Sequence, residues 1–271
     1  MKDDLKKTNK LKDFILTHKY MAWLLLWIVY LLWYFILNKT PLRFHNIHIP
    51  MDDRIPFLEG FVVFYILWFP YIVFSLVFTL LKSRRDFLLM LSLIFISLFS
   101  SMIVCTVFPS EVDLRPAESE MNHNFFTWIV KIIYAVDNPR NVFPSMHCIV
   151  AIVITAGFFG AESMKGKVLP KVLFSILSIG ICLSTFFIKQ HSFADFMLAM
   201  GMSIPACLIS YFVVLPKITR ERAAETADLP TEAAEPAGAV LFVANDETAD
   251  ASAEASVAEV AATTAEDEKE A

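Results

Sequence analysis

The segment STFFIKQHSFAD, residues 184–195, places ionisable side chains at the break between two long apolar runs. Charge in such a setting is costly, so it indicates a functional site. His191 and Asp195 are four residues apart, which on a helix puts them on one face, where the carboxylate can orient and polarise the imidazole. A second segment, FPSMH at residues 143–147, opens an earlier apolar run. Together they predict membrane helices whose ends carry a polar site.

The FPSMH segment also predicts an anion site at the start of a helix. Pro144 suits the first turn of a helix, where its missing N–H costs nothing. Ser145 and His147 would then lie at the positive end of the helix dipole. Backbone N–H groups at such an end bind phosphate in many proteins, so phosphate is the expected ligand.

Composition predicts an all-α polytopic membrane protein. Hydrophobic residues make up 56% of the 271 residues, and the mean hydropathy is +0.57. The apolar residues come in long continuous runs, which indicate helices that span a bilayer. We expect six transmembrane helices, at residues 20–37, 61–81, 87–108, 144–159, 172–188 and 191–214.

Charge divides the chain into a basic N-terminus at 1–19, a membrane domain at 20–216 and a tail at 217–271. Residues 221–271 hold 14 acidic and two basic residues, so the tail is predicted to be acidic and disordered. The rest of the chain has a basic excess, which suits contact with anionic lipid.

Basic residues also predict the topology. They concentrate at the N-terminus, at 82–86, at 161–171 and at the start of the tail, all on one side if six helices alternate. By the positive-inside rule, that side and both termini are cytoplasmic. We expect an integral protein of the plasma membrane whose site lies on the extracytoplasmic side.

The segments between the apolar runs are predicted to be interfacial or solvated. Residues 109–143 form a re-entry segment, whose apolar part at 125–134 is too short to span. The loop at 38–57 contains His45 and His48 without the carboxylate or cysteine cluster of a metal site, so it is interpreted as a solvated loop. Three charged residues near the end of this loop are expected to mark the water interface: Asp52, Asp53 and Arg54. All four cysteines lie in apolar runs and are expected to be buried free thiols.

The two histidine segments resemble motifs of the type-2 phosphatidic acid phosphatase and vanadium haloperoxidase superfamily. The second family motif, Pro-Ser-Gly-His, is matched at Pro144, Ser145 and His147. The third, Ser-Arg followed after five residues by His and after three more by Asp, is matched at Ser184, His191 and Asp195. The end of the first motif is matched by Arg115 and Pro116, and the likeness covers roughly residues 58–214.

Three positions depart from the family pattern. Met146 replaces a glycine, so only its backbone N–H can act as the glycine N–H does. Thr185 replaces the phosphate-binding arginine, and Lys189 is expected to supply that charge instead. Phe108 stands where the family has a lysine. The resulting form is similar to the branch that includes inositol phosphorylceramide synthases.

The resemblance implies a role for each site residue. His191 would be the nucleophile that forms a phosphohistidine, with Asp195 holding its other ring nitrogen and His147 acting as acid and base. The phosphoryl oxygens would be bound by six further residues: Arg115, Ser145, Met146, Lys189, Ser184 and Thr185. Because the expected cations are side chains, no metal or cofactor is expected.

The implied function is hydrolysis of a lipid phosphomonoester or pyrophosphate. Two alternatives stay open. A phosphotransferase would pass the headgroup to a lipid alcohol instead of water, and a pseudoenzyme would only bind lipid phosphates. The expected partners are a lipid phosphate and the bilayer, and no nucleic acid.

Overall fold

A computed structural model describes residues 19–40 and 42–227. The described chain is mostly helical, with a 3-10 turn at Lys19–Leu25 and a π turn at Ser210–Val214. Its helices are α1 (Leu26–Lys39), α2 (Val62–Lys82), α3 (Arg84–Val107), α4 (Phe125–Val136), α5 (Met146–Gly160), α6 (Val168–Phe187), α7 (Phe193–Ile209) and α8 (Leu215–Ala227). The described residues up to Ala224 belong to one compact unit, and Glu225 begins a second.

Within the described residues, five helices are long and apolar enough to cross a membrane. They lie at Tyr20–Lys39, Glu59–Lys82, Arg84–Val107, Val168–Phe187 and Phe193–Glu221. These helices are compatible with an integral membrane protein, as predicted. The predicted count of six is not confirmed, because α5 has only 15 residues. At 1.5 Å per residue it would reach about 22 Å, short of a hydrocarbon core of roughly 30 Å.

The short helix α5 lies at the centre of the bundle. Three of its residues, Ile149, Val150 and Ile154, are fully buried, and it packs against α3, α6 and α7. A Cβ at Gly157 would lie 2.8 Å from Met90 Cε, so α5 approaches α3 closely at this point. A helix enclosed by other helices need not match the thickness of the bilayer.

The last apolar helix continues beyond its predicted end. The sequence places its end near Val214, with Pro216 as the stop signal, whereas α8 continues to Ala227. Pro216 falls in the first turn of α8, directly after the π turn, where a missing N–H does not break the helix. The helix therefore crosses residue 217, where the tail was predicted to begin. The disorder predicted for the later tail lies outside the described residues, as does the basic N-terminus before Lys19.

One short pair of strands was not predicted. Strand β1 (His45–Asn46) pairs in parallel with β2 (Ser110–Glu111), with His45 opposite Ser110. Two-residue strands have no periodic signal that a sequence could reveal. The pair joins the loop after α1 to the segment after α3, so both lie at the end of the bundle where α5 begins.

The opposite end gathers the basic loops. The Asp86 carboxylate accepts hydrogen bonds from the backbone N–H groups of Glu162 at 3.0 Å and Ser163 at 2.9 Å. Arg85 forms an ion pair with the same carboxylate at 2.8 Å. Residues 82–86 and 161–171 therefore meet at the end where α5 finishes.

The cysteines are free thiols, as predicted. Cys105, Cys148 and Cys182 are buried, and Cys207 is half-buried.

Candidate active site

The predicted segment 184–195 forms a tight turn between α6 and α7. The backbone N–H groups of Gln190 and His191 both donate to the Thr185 carbonyl, at 3.0 and 3.1 Å. Ser192 caps α7, its Oγ accepting from the Ala194 N–H at 3.1 Å. The spacing from Asp195 had suggested that His191 lies on the same helix. In the structure His191 lies just before α7, which begins at Phe193. The pair still meets because Asp195 lies in the first turn of α7.

His191 and Asp195 form a buried hydrogen-bonded pair. His191 Nδ1 lies 3.1 Å from Asp195 Oδ2, which also accepts from the Ser192 N–H at 3.0 Å. The two residues are 6% and 0% exposed. Burial alone would lower the pKa of His191, but the hydrogen bond and charge of Asp195 outweigh it and raise that pKa. Since Nδ1 is bonded, Nε2 is the ring nitrogen left for chemistry.

The second predicted histidine faces the first. His147 lies in the first turn of α5, and its ring centroid is 5.7 Å from that of His191. Its ring packs against Tyr65 at 4.3 Å and Trp68 at 4.4 Å, both on α2. The fold thus brings the two motif histidines from different helices to one place.

The start of α5 links the two motifs directly. The Ser145 N–H donates to the Asp195 carbonyl at 3.3 Å. The Ser145 side chain, fully buried, caps α5 by accepting from the Cys148 N–H at 3.4 Å. Met146 begins α5, so its N–H is among the first-turn donors that have no partner inside the helix. Its Sδ accepts from the Tyr30 hydroxyl at 2.8 Å.

Both histidines line a cavity of about 620 Å³. One end is polar and contains the two histidines with Asp137, Asn138, Arg140, Asn141 and Gln190. The other walls are aromatic and aliphatic and come mainly from α1 and α2, with Ile133 and Val136 of α4 and Met146 of α5. The α1 and α2 residues include Trp27, Leu31, Ile66, Phe69, Val73 and Leu76. A mainly apolar cavity with a few convergent polar groups is the usual form of a ligand site.

Arg115, predicted to bind phosphate, does not line this cavity. Its guanidinium donates to Gln190 Oε1 at 2.7 Å and to the carbonyls of Tyr134 and Asp137 at 2.9 and 2.5 Å. Its charged plane also lies 4.3 Å from the centre of the Tyr134 ring. Burial lowers the pKa of Arg115. Through these contacts, Arg115 holds the side chain of the cavity residue Gln190 in place.

Lys189 is also engaged away from the cavity. Its Nζ donates to the carbonyls of Asp52 at 2.7 Å and Ile55 at 2.6 Å. Its backbone is left-handed, with φ of 56°, which turns the side chain away from the path expected for an extended segment. Burial lowers the pKa of its ammonium. Lys189 therefore anchors the turn to the loop at 52–55, and it is not among the residues that line the cavity.

Ser184 and Thr185 are fully buried, and both hydroxyls donate within their own helix, while Thr185 Oγ1 also lies 3.5 Å from Cys148 Sγ on α5. The Ser184 hydroxyl donates to the Ile181 carbonyl at 2.6 Å, and the Thr185 hydroxyl to the Cys182 carbonyl at 2.8 Å. A hydroxyl in an apolar helix commonly finds a partner one turn back. Neither residue lines the cavity, so the structure does not bring them to the phosphate site predicted for them.

A buried carboxylate that the sequence did not reveal supports the turn. Asp52, expected at the water interface, is 1% exposed. It accepts from the Ser192 hydroxyl and the Phe193 N–H, both at 2.7 Å, and from the Ile49 N–H at 3.0 Å. Asp52 thus caps α7 from a distant loop, a long-range contact that leaves no local sequence signal.

Five polar residues of the cavity were also missed: Asp137, Asn138, Arg140, Asn141 and Gln190. Arg140 is the one arginine or lysine among the described residues that line the cavity. It lies over the Phe44 ring at 4.9 Å and 3.9 Å from the Glu111 carboxylate. The available signal was the polar run DNPRN at 137–141, directly before the FPSMH motif.

The histidines of the solvated loop lie apart from the cavity. His48 Nε2 lies 2.8 Å from Asp53 Oδ1, and the His45 ring stacks on Phe108 at 4.6 Å. In the described part of the chain, no group of three His, Cys, Asp or Glu side chains is arranged to hold a metal ion.

Comparison of the chain with protein-family models, with curated proteins and with solved structures gave no match.

Proposed function

We propose that this protein is an integral membrane phosphatase that hydrolyses a lipid phosphate through a phosphohistidine. The observation that carries the proposal is one arrangement: the buried His191–Asp195 pair faces His147 across the polar end of an otherwise apolar cavity. A nucleophile held by a carboxylate, beside a second group able to move a proton, is the constellation that covalent phosphoryl transfer requires.

In the first step, His191 Nε2 attacks phosphorus and the bond to the lipid oxygen breaks. Asp195 holds the imidazole in orientation and stabilises the positive charge that develops on it. His147 gives a proton to the departing oxygen, which leaves as the lipid alcohol. In the second step, His147 takes a proton from water, the water oxygen attacks phosphorus, and the P–N bond breaks to release phosphate and free His191.

The phosphoryl oxygens are bound by Arg140 and by the backbone N–H groups at the start of α5. This assignment follows from position, because Arg140 lines the cavity and Met146 begins the helix that carries His147. Arg115 and Lys189 support the same site indirectly through Gln190 and the α6–α7 turn. Positive groups on the equatorial oxygens stabilise the transition state for phosphoryl transfer.

The site faces the extracytoplasmic side of the plasma membrane in this proposal. The basic loops meet at the end of the bundle where α5 finishes, and the cavity lies at the end where α5 begins. The positive-inside rule therefore puts both termini in the cytoplasm.

Labelling tests this sidedness. In a background with Cys207→Ala, which removes the one described cysteine that is not fully buried, Glu120→Cys should react with an impermeant thiol reagent on intact cells. Lys165→Cys, in the loop at the opposite end, should react only after the membrane is opened. The reverse pattern would refute the orientation.

The catalytic proposal is tested with purified protein and phosphatidic acid in mixed micelles. Release of inorganic phosphate is expected from the wild-type protein and from His48→Ala, a histidine away from the cavity. His191→Ala should release none, and a wild-type protein quenched in alkali after reaction with radiolabelled substrate should retain labelled phosphohistidine. Normal turnover by His191→Ala would refute the mechanism.

The same assay examines the phosphotransferase alternative. Diacylglycerol bearing distinct acyl chains is added as acceptor, and lipid products are separated. Formation of a new phospholipid in place of free phosphate would identify a transferase, because the phosphohistidine step is shared and only the acceptor differs. Stoichiometric binding without either product would identify a pseudoenzyme.

A further inference from the structure

The polar end of the cavity contains a carboxylate that the proposed mechanism does not use. Asp137 lines the cavity together with both motif histidines. Its Oδ2 accepts from the Tyr65 hydroxyl at 2.5 Å and from Gln190 Nε2 at 3.3 Å. Within the described residues, no lysine, arginine or histidine nitrogen lies within ion-pair distance of this carboxylate.

The nearest guanidinium, that of Arg115, forms no ion pair with the Asp137 carboxylate among the described residues. Arg115 donates to the Asp137 carbonyl, to the Tyr134 carbonyl and to Gln190 Oε1, all neutral oxygens. Arg115 is also outside the cavity lining, whereas Asp137 is part of it. The cavity therefore presents a negative charge close to the site of an anionic phosphoryl group, and that arrangement opposes binding of a simple phosphate.

Hydrogen bonding alone does not explain why residue 137 is a charged aspartate and not a neutral asparagine. An asparagine at position 137 would accept the same two hydrogen bonds from Tyr65 and Gln190, because each needs only an oxygen acceptor. What a carboxylate adds is attraction for a cation. A substrate that brings its own positive group would turn the repulsion into a favourable interaction.

Aromatic rings complete the surroundings of such a group. Tyr65 links the two parts of the site, since its hydroxyl bonds to Asp137 and its ring stacks on His147 at 4.3 Å. Trp68, Tyr30 and Tyr34 line the same cavity. Aromatic faces attract ammonium groups, and more strongly when both are removed from water.

We propose that Asp137 selects substrates that carry an ammonium group close to the reacting phosphate, as in a 2-aminoalkyl ester of phosphate. The inference rests on the proposed function and names the substrate class of the same site. The phosphate lies between His191, His147 and Arg140, and the ammonium lies between Asp137 and the aromatic rings. Asp137 is a specificity residue and takes no part in bond making.

Two kinds of lipid have this chemistry. In a sphingoid-base phosphate, the amine is on the lipid; attack by His191 releases the amino alcohol, and water then releases inorganic phosphate. In an ethanolamine phospholipid, the amine is on the headgroup; attack releases diacylglycerol, and water then releases phosphoethanolamine. In both cases one P–O bond is replaced by the P–N bond to His191, and water restores the imidazole.

The test compares substrates that differ only in this charge. Purified wild-type protein is assayed with sphingosine 1-phosphate and with its N-acetyl derivative, in which an amide replaces the ammonium, and with phosphatidylethanolamine. We expect kcat/KM for the amine to exceed that for the amide by about tenfold. Release of phosphoethanolamine from the third lipid would place the amine on a headgroup, and its absence would place it on the lipid base.

The variant Asp137→Asn should remove this preference. It is expected to lower kcat/KM for the amine and to raise it for the amide until the two values are about equal, because the attraction for the ammonium is lost and a like charge is removed from beside the phosphate. Asp113→Asn, an exposed aspartate outside the cavity, is the matched control and should change neither value. Equal treatment of amine and amide by the wild-type protein, or an equal loss for both in Asp137→Asn, would overturn the inference.

A binding measurement separates this inference from the proposed function. Trp27 and Trp68 line the cavity, so tryptophan fluorescence of the His191→Ala protein reports binding without turnover. Tighter binding of the amine than of the amide is expected, and Asp137→Asn should abolish the difference. If the wild-type protein hydrolyses no lipid phosphate, the proposed function fails; if binding shows no preference, the role of Asp137 fails.

Discussion

The two walls of the cavity are built in opposite ways. The wall made by the start of α5 and the α6–α7 turn is buried and cross-linked by hydrogen bonds, including Ser145 to Asp195 and Asp52 to Ser192. The wall made by α1 and α2 is apolar, and several of its side chains are exposed on the outer surface as well: Leu31 by 44% and Val73 by 62%.

This difference indicates that one wall holds side chains in fixed positions and the other provides space for an apolar ligand. Reacting groups must be held closely to act, so the hydrogen-bonded wall should tolerate little change. Lipid chains need only apolar contact, so the wall that faces outward should accept many side chains provided that it leaves room. The predictions below test each wall, beginning with the change expected to have the largest effect.

Replacing Asp195 by asparagine should lower kcat by roughly 10²–10⁴-fold, the range typical of lost acid–base assistance. The pH profile should also move. The nucleophile must be neutral, and Asp195 raises the pKa of His191, so wild-type activity should fall on acidification through a pKa above that of a free histidine. Without the carboxylate charge, burial lowers that pKa, and the acid limb should shift to lower pH. An unshifted limb would contradict this account of the pair.

Asp52→Ala should destabilise the α6–α7 turn by removing the carboxylate that caps α7. It would leave the Ser192 hydroxyl and the Phe193 N–H without their shared acceptor, at a cost of about 2–4 kcal/mol in the free energy of unfolding. Thermal unfolding can be followed by the reactivity of the buried thiols of Cys105 and Cys148, with kcat measured alongside. Asp53→Ala is the control, since Asp53 is exposed and bonds only to His48 among the described residues. Equal melting temperatures for the two variants would exclude the capping role.

Two variants of Lys189 test whether this residue is a structural anchor or a phosphate ligand. Both Lys189→Ala and Lys189→Gly lose the bonds to Asp52 and Ile55, but glycine also relieves the left-handed backbone, worth about 1 kcal/mol. An anchor therefore predicts that the glycine variant melts higher and retains more kcat than the alanine variant, with KM little changed in either. A rise in KM of the same size in both variants would restore Lys189 as a phosphate ligand.

The sequence predicted the proposed reacting groups more fully than the residues that support them. His147, His191 and Asp195 could be found because they are polar groups in apolar surroundings at fixed spacing, and the fold brings them together. Lys189 was assigned as a phosphate ligand from its proximity to His191 and Arg115 from the resemblance, and neither residue lines the cavity. Lys189 is two residues from His191, yet its left-handed backbone directs its side chain to the Asp52 and Ile55 carbonyls. The Arg115 guanidinium donates to the Gln190 side chain. Asp52 reaches the α6–α7 turn through a contact between distant segments, which one sequence cannot reveal, whereas Arg140 lies in the polar run next to FPSMH.

The same contrast applies to the helices. Long apolar runs predicted five membrane-compatible helices near their observed places. Helix α5 has an equally apolar sequence but is short and enclosed, because burial by protein and burial by lipid produce the same composition. The continuation through Pro216 depends on a π turn that has no recognisable sequence pattern.

The smallest effect is expected on the outward wall, from Leu31→Trp. Leu31 lines the cavity and is partly exposed, so an indole there should narrow the space for acyl chains at a cost of about 1–3 kcal/mol in binding. KM should therefore rise roughly 5–150-fold for dioleoyl phosphatidic acid and change little for the dihexanoyl form, whose shorter chains need less of the cavity. Leu31→Trp should leave kcat unchanged, because Leu31 belongs to neither histidine motif.

Val77→Trp is the matched control: Val77 is 47% exposed on α2 but lies outside the cavity lining, so the KM values of this variant should equal those of the wild type. A loss of kcat for both chain lengths in Leu31→Trp would mean that the two walls are coupled. Unchanged KM for the long-chain lipid would mean that its chains leave the site by another route.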